Sequence, residues 1–241
     1  MPIRIPQPSM VVASDKAYQY ALPTGHHVTA TRRYRMWQTW DEIKDDVPVS
    51  HIVDWVAHVA TGAPDHYLRV VILTAHGQGG WLALGRGVEE GICMKDVPLF
   101  AKWRNKVANI WIIACSTAYK MPDPKYDGNL FCSALAKTTG AYVVASLDSQ
   151  VGELGPVLPW GCVDHWEGLV HRYEPEHGSV DWHYQYRSDI GAYQPFLGPY
   201  AVTPPIALAP RFRPGAATTP APGPRASPRA DPPWWVAPSR R

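Results

Sequence analysis

Two short runs carry residues able to do nucleophilic chemistry: Thr74-Ala75-His76-Gly77 and Ile113-Ala114-Cys115-Ser116. Each ends a stretch rich in Val, Ile and Leu, 68–75 (LRVVILTA) and 109–114 (NIWIIA). A thiol is a weak nucleophile until it ionises, and an adjacent imidazole takes its proton or lowers its pKa. The same imidazole then returns a proton to the leaving amine. Gly77 has no Cβ, so its N–H can approach a substrate carbonyl and, with the Cys115 amide, form an oxyanion hole. Gly79 and Gly80 would leave the floor of such a cleft open. Each piece also has an ordinary reading. A cysteine closing a buried strand is commonly a small apolar filler, and a histidine before glycine is commonly a loop residue. The run 76–80 lacks the Lys-Ser/Thr of a P-loop and the G-x-G-x-x-G spacing. What favours chemistry is co-occurrence, since His76 and Cys115 cap separate strands with one helix between them.

The elements that must position these residues read as alternating strand and helix. The runs 68–75, 109–114 and 141–145 (AYVVA) are strands buried on both faces, as in a parallel sheet. Residues 97–107 predict a helix with Leu99, Phe100, Trp103 and Val107 on one stripe. Residues 129–138 predict another, with Leu130, Ala134 and Leu135 inward and Gly140 as its stop. Ser50 is a candidate N-cap for a helix over 51–60. Residues 10–13 and 28–31 read as earlier strands. The expected fold is α/β, with helices on both faces of a mostly parallel sheet and sites outside the carboxyl ends of its strands. Adjacent strands would bring His76 and Cys115 together across about 4.8 Å of backbone spacing. Residues 152–200, rich in Trp, Tyr, His and Gly, are expected to pack loops and short strands over one end of the sheet.

The whole chain bounds the function from outside. Its 241 residues carry a formal charge of only +2, which argues against nucleic acid and membrane surfaces as partners. From Thr203 on, 11 of 39 residues are Pro and six are Arg against one Asp, so the body is mildly acidic. Such a tail cannot bury enough apolar surface to offset its ordering entropy, and 203–241 is expected to be disordered. Trp234 and Trp235 within it are either an incidental pair or a docking motif, for a protein partner or for the body of the chain. Cys93, Cys115, Cys132 and Cys162 form no C-x-x-C pair, which speaks against a zinc ribbon and for free thiols in a reducing compartment. The start of the chain does not read as a secretory signal, so a cytoplasmic location is expected. His165, His171, His177 and His183 are spaced six apart but match no metal-binding pattern, and no metal is expected.

Strand–His-Gly followed by strand–Ala-Cys resembles the signature of the caspase-like cysteine peptidases, which include caspases, legumain, gingipain and CHAT domains. The runs 76–80, 82–85, 114–115 and 135–146 are similar to a bacterial branch of caspase-like domains of unassigned function. The resemblance covers roughly 10–155. It implies a three-layer α/β/α sandwich over 10–202, with a core at 10–155, an aromatic-rich covering region at 156–202, an N-terminal extension at 1–9 and the tail at 203–241. It implies peptide-bond hydrolysis with Cys115 as nucleophile, His76 as general base and acid, and the Gly77 and Cys115 amides at the oxyanion. No organic cofactor is implied, though some members use Ca²⁺. Acidic residues near the central strand ends often bind a basic P1 side chain, a role open to Asp148 and Glu153. Asp148 could equally open a solvated turn. The sequence departs from the family in two places. Ser116-Thr117-Ala118 follows the cysteine where many members have Gly, and the insert 119–127 delays the next helix. The alternatives are an inactive caspase-like module that binds a protein, and a serine hydrolase using Ser116, which lacks a G-x-S-x-G elbow.

Overall fold

Runs of Val and Ile favour the pleated surface of a sheet. In the computed structural model they build one of seven strands. In chain order these are β1 (Ser9–Ser14), β2 (Gln38–Ile43), β3 (Leu68–Thr74), β4 (Val107–Ile113), β5 (Tyr142–Ser146), β6 (Leu169–Tyr173) and β7 (Val180–Gln185). Their spatial order is β7-β6-β5-β4-β3-β1-β2. The first five strands are mutually parallel, and β6 and β7 run antiparallel at one edge. The structure describes residues 3–17, 19–21, 27–29, 34–150, 157–163 and 166–185. The 203–241 tail with Trp234 and Trp235, together with Glu153 and His165, lies outside them.

The strands alternate their side chains between two cores. Val12, Val71, Leu73, Ile110, Ile112, Val143 and Ala145 face one; Val11, Val70, Ile72, Trp111 and Val144 face the other. Helices α1 (Val49–Gly62) and α2 (Gly128–Thr139) and the 3₁₀ segment Met94–Trp103 all pack on the first core. The second core is closed by Ile3, Ile5, Tyr34, Met36, Val163 and Trp166. The expected helices on both faces are therefore corrected: among the described residues every helix of the main core lies on one side. The handedness rule gives the reason. The connections β2→β3, β3→β4 and β4→β5 advance in one direction across the sheet, so right-handed crossovers deliver them to one face. Only β1→β2 runs the other way, and its described part holds a hairpin, Gln19–Ala21 with His27–Thr29, instead of a helix. The strand expected at 28–31 falls in that hairpin, outside the large sheet.

Other boundaries shift for local reasons. The 97–107 helix is a 3₁₀ segment that starts earlier, contains the donorless Pro98, and stops before Val107, which opens β4. Its buried stripe is Val97, Phe100 and Trp103, and the Trp103 indole N–H donates to the Val53 carbonyl at 3.0 Å. Ser50 lies inside α1, whose N-cap is Pro48. Asp127 caps α2 by accepting the Leu130 N–H at 3.0 Å, and Gly140 ends it in the left-handed region (φ 68°), as its position after the helix predicts. Leu135 faces inward as expected, but the inward neighbours are Phe131, Cys132 and Ala136. The aromatic-rich segment extends the sheet through β6 and β7 and pairs Cys162–Val163 with Ile3–Arg4, instead of lying over one end. Leu130 is 44% exposed and Leu135 fully buried. Leu135→Ala is expected to cost about 2–5 kcal/mol of unfolding free energy. Leu130→Ala should stay within about 0.5 kcal/mol. Urea melts of the two variants check the face of α2.

Candidate active site

The parallel ladder between β3 and β4 ends at the pair Thr74 and Ile113. Two residues further along each chain stand His76 and Cys115, at the same end of adjacent strands with no strand between. The chain then draws the two ends together. A Cβ added at Gly77 would lie 2.9 Å from Ala114 Cβ, 3.0 Å from Thr117 Oγ1 and 3.2 Å from the Cys115 carbonyl. Only glycine lets the His-Gly segment press on the cysteine turn this closely. Gly77–Gln78 then pairs with Trp81–Leu82 in a short hairpin, and the Gly80 N–H donates to the Thr117 carbonyl at 3.1 Å. Gly79 and Gly80 do not form an open cleft floor. They are buried, and a Cβ at Gly79 would lie 2.5 Å from the Tyr126 carbonyl. Their smallness admits the 119–127 insert.

That insert loops out and returns. The Gly128 N–H donates to the Tyr119 carbonyl at 2.9 Å, and a Cβ on Gly128 would meet the Thr117 carbonyl at 2.0 Å. The start of α2 is thereby kept against the cysteine turn. On the surface Glu89 bridges Lys95 at 2.5 Å and Lys125 at 3.0 Å, which ties the insert to the segment after the hairpin. The Lys95 ammonium, then that of Lys125, hold the Glu89 carboxyl below its usual range.

Cys115 opens a turn in which Ser116 adopts φ 47°. A non-glycine residue in this left-handed region is under backbone strain of about 1 kcal/mol or more. It is held there by neighbours: the Ser116 N–H donates to the Asp148 carbonyl and the Ala118 N–H to the Ser146 carbonyl, each at 2.9 Å. The end of β5 thus holds a serine in a glycine-like conformation directly after the cysteine. The Cys115 N–H has no hydrogen-bond partner among the described residues.

The thiol is half-buried and the His76 side chain exposed. Among the described residues the imidazole makes no hydrogen bond, to the thiol or to any other group. The sulfur is held by a residue the sequence did not single out. The Gln150 N–H donates to Cys115 Sγ at 3.3 Å, and the thiol donates to the Gln150 carbonyl at 3.4 Å. Nothing in the residue type of Gln150 signals this, because the contact is made by its backbone; position just past the end of β5 is the only hint. Asp148, expected either in a pocket or in a turn, forms the turn: its Oδ2 accepts the Leu169 N–H at 2.6 Å and its N–H donates to Ser146 Oγ at 3.0 Å.

The remaining cysteines are free and buried. Burial raises the Cys93 and Cys132 thiols above the usual cysteine range, and the Cys93 thiol also donates to Asp96 Oδ2 at 3.3 Å. The six-residue histidine interval is resolved by the β6–β7 hairpin. His171 pairs directly across from His183, with ring centroids 6.4 Å apart, and His177 lies in the connecting turn. Burial, then His183, lowers the His171 pKa. Among the described residues no group of three His, Cys, Asp or Glu side chains could hold a metal ion. None of their helices is long and apolar enough to cross a membrane.

No protein-family model, curated protein or solved structure matches the chain. The site is therefore read from its own geometry. Cys115 is the one cysteine that is not buried. Substoichiometric iodoacetamide on the native protein should label it ahead of Cys93, Cys132 and Cys162. Peptide mapping by mass spectrometry checks the order.

Proposed function

We propose that the chain is a caspase-like cysteine endopeptidase that cleaves peptide bonds through His76 and Cys115. The observation that carries this reading is the packing of Gly77 onto Ala114 and the Cys115 carbonyl, which joins the two strand ends that bear the reactive side chains. In this mechanism the exposed His76 ring swings over the cysteine turn and takes the thiol proton. The sulfur attacks the scissile carbonyl, and the Cys115 N–H, with that of Gly77, receives the oxyanion. His76 protonates the departing amine, and water then hydrolyses the thioester. No organic cofactor is needed for these steps. Free thiols at all four cysteines suit a reducing compartment such as the cytoplasm. Asp148 is not assigned a pocket role, because its carboxylate is used by Leu169.

A second reading, a caspase-like module that binds a protein without cleaving it, is favoured by one specific observation: the sulfur is bonded to Gln150 and not to His76. Turnover of a peptide library varied at P1 separates the two. Wild type is expected to cleave, Cys115→Ala to be inactive, and His76→Ala to lose about 10²–10⁴ in rate. Cleavage that persists in Cys115→Ala removes the nucleophile from consideration. A folded wild type that binds library peptides with no turnover selects the binding module.

A further inference from the structure

One residue occupies both hydrogen-bonding capacities of the reactive sulfur. A thiol offers one weak donor and one weak acceptor. In the resting site the Gln150 carbonyl takes the S–H and the Gln150 N–H donates to the sulfur, at 3.4 and 3.3 Å. The side chain of Gln150 is what fixes that backbone. Its Nε2, with two hydrogens to donate, has three acceptors in reach: Ser146 Oγ at 2.9 Å, the Glu167 carbonyl at 2.9 Å and the Asp148 carbonyl at 3.1 Å. Its Oε1 accepts the Glu167 N–H at 2.9 Å. The amide is thus spent on the end of β5 and on the strand entry that leads into β6. Gln150 is half-buried, and its side-chain amide is engaged on both its nitrogen and its oxygen. The joint effect of these bonds is to hold one backbone N–H on Cys115.

We propose that Gln150 is a positioning residue for the nucleophile, acting by holding its own N–H against Cys115 Sγ so that the sulfur has a donor when it ionises. The role rests on the peptidase reading for its purpose, but not for its measurement. When the S–H bond breaks, the proton passes to the His76 imidazole and the electron pair stays on sulfur. The Gln150 carbonyl then loses its donor, while the N–H···S contact gains charge. The two contributions oppose each other, and magnitude decides between them. A hydrogen bond to an ionised group is roughly twice as strong as one between neutral groups, and S–H is a poor donor. The net effect of the Gln150 backbone favours the thiolate. Among the described residues the ionisable side chains on the segments that meet at this corner are His76, Asp148 and Glu167, and the test leaves all three in place.

The experiment is iodoacetamide alkylation of Cys115 at pH 7 and pH 10, read on the Cys115 peptide by mass spectrometry, in wild type, Gln150→Ala and Gln150→Met. Methionine keeps the length of the side chain and removes its amide hydrogen bonds; thermal melts establish that each variant is folded. At pH 10 an ordinary thiol is ionised and the rate no longer reports on ionisation. The ratio of the pH 7 rate to the pH 10 rate is expected to fall about tenfold in both variants, the loss of one hydrogen bond to an ionised group. An unchanged ratio overturns the proposal. So does an equal rise at both pH values, which would mean that Gln150 only covers the sulfur. Peptide cleavage is measured separately: a falling ratio in a protein that cleaves nothing supports the role of Gln150 and ends the peptidase reading.

Discussion

The pairing of β3 with β4 is the constraint on which the rest of the site depends. Parallel neighbours share a direction, so their carboxyl ends fall at the same edge, and the register from Leu68 and Val107 through Thr74 and Ile113 ends both ladders level. A one-residue slip would send alternate side chains to the wrong core. Here slippage is blocked on both sides, because Val71, Leu73, Ile110 and Ile112 fill one core while Ile72 and Trp111 fill the other. The rigidity of the strands is then delivered to the loops. Gly77 seats on Ala114, the Gly80 N–H bonds to the Thr117 carbonyl, and Gly128 packs against that same carbonyl. The chemistry proposed for His76 and Cys115 uses that inherited precision.

Much of this is legible in the sequence. The continuous apolar runs of β3, β4 and β5 read as buried strands, and Gly140 marks the end of α2 by its conformational freedom. The order His-Gly then Ala-Cys located the pair. What escaped the sequence was whatever depends on tertiary context. The edge strand β2, with its Trp40 and acidic Asp41 and Glu42, has no apolar run to announce it. Leu130 has the hydrophobicity of a core residue, but the cap at Asp127 sets the phase of α2 and turns it outward. Helices on both faces were inferred from alternation alone; the direction in which each connection crosses the sheet was the missing term. Gln150 escaped because its backbone, not its side chain, reaches the sulfur.

The site also places its local costs unevenly. Ser116 is held in a left-handed conformation by the end of β5, and the buried Asp96 organises the preceding loop by accepting the Val88 and Cys93 N–H groups at 3.0 Å each. The first is strain beside the nucleophile; the second is a satisfied buried carboxylate remote from it. Strain that surrounding structure over-determines is found at working sites more often than in scaffolding.

The one-sided distribution of helices has a consequence for biosynthesis. The helix-covered core closes progressively as each strand–helix unit leaves the ribosome. The opposite face is sealed by Ile3 and Ile5 from the beginning of the chain together with Val163 and Trp166 from far downstream. Until that later segment emerges, Val11, Ile72, Trp111 and Val144 lack part of their cover, and the nascent chain exposes apolar surface after most of its sheet has been synthesised.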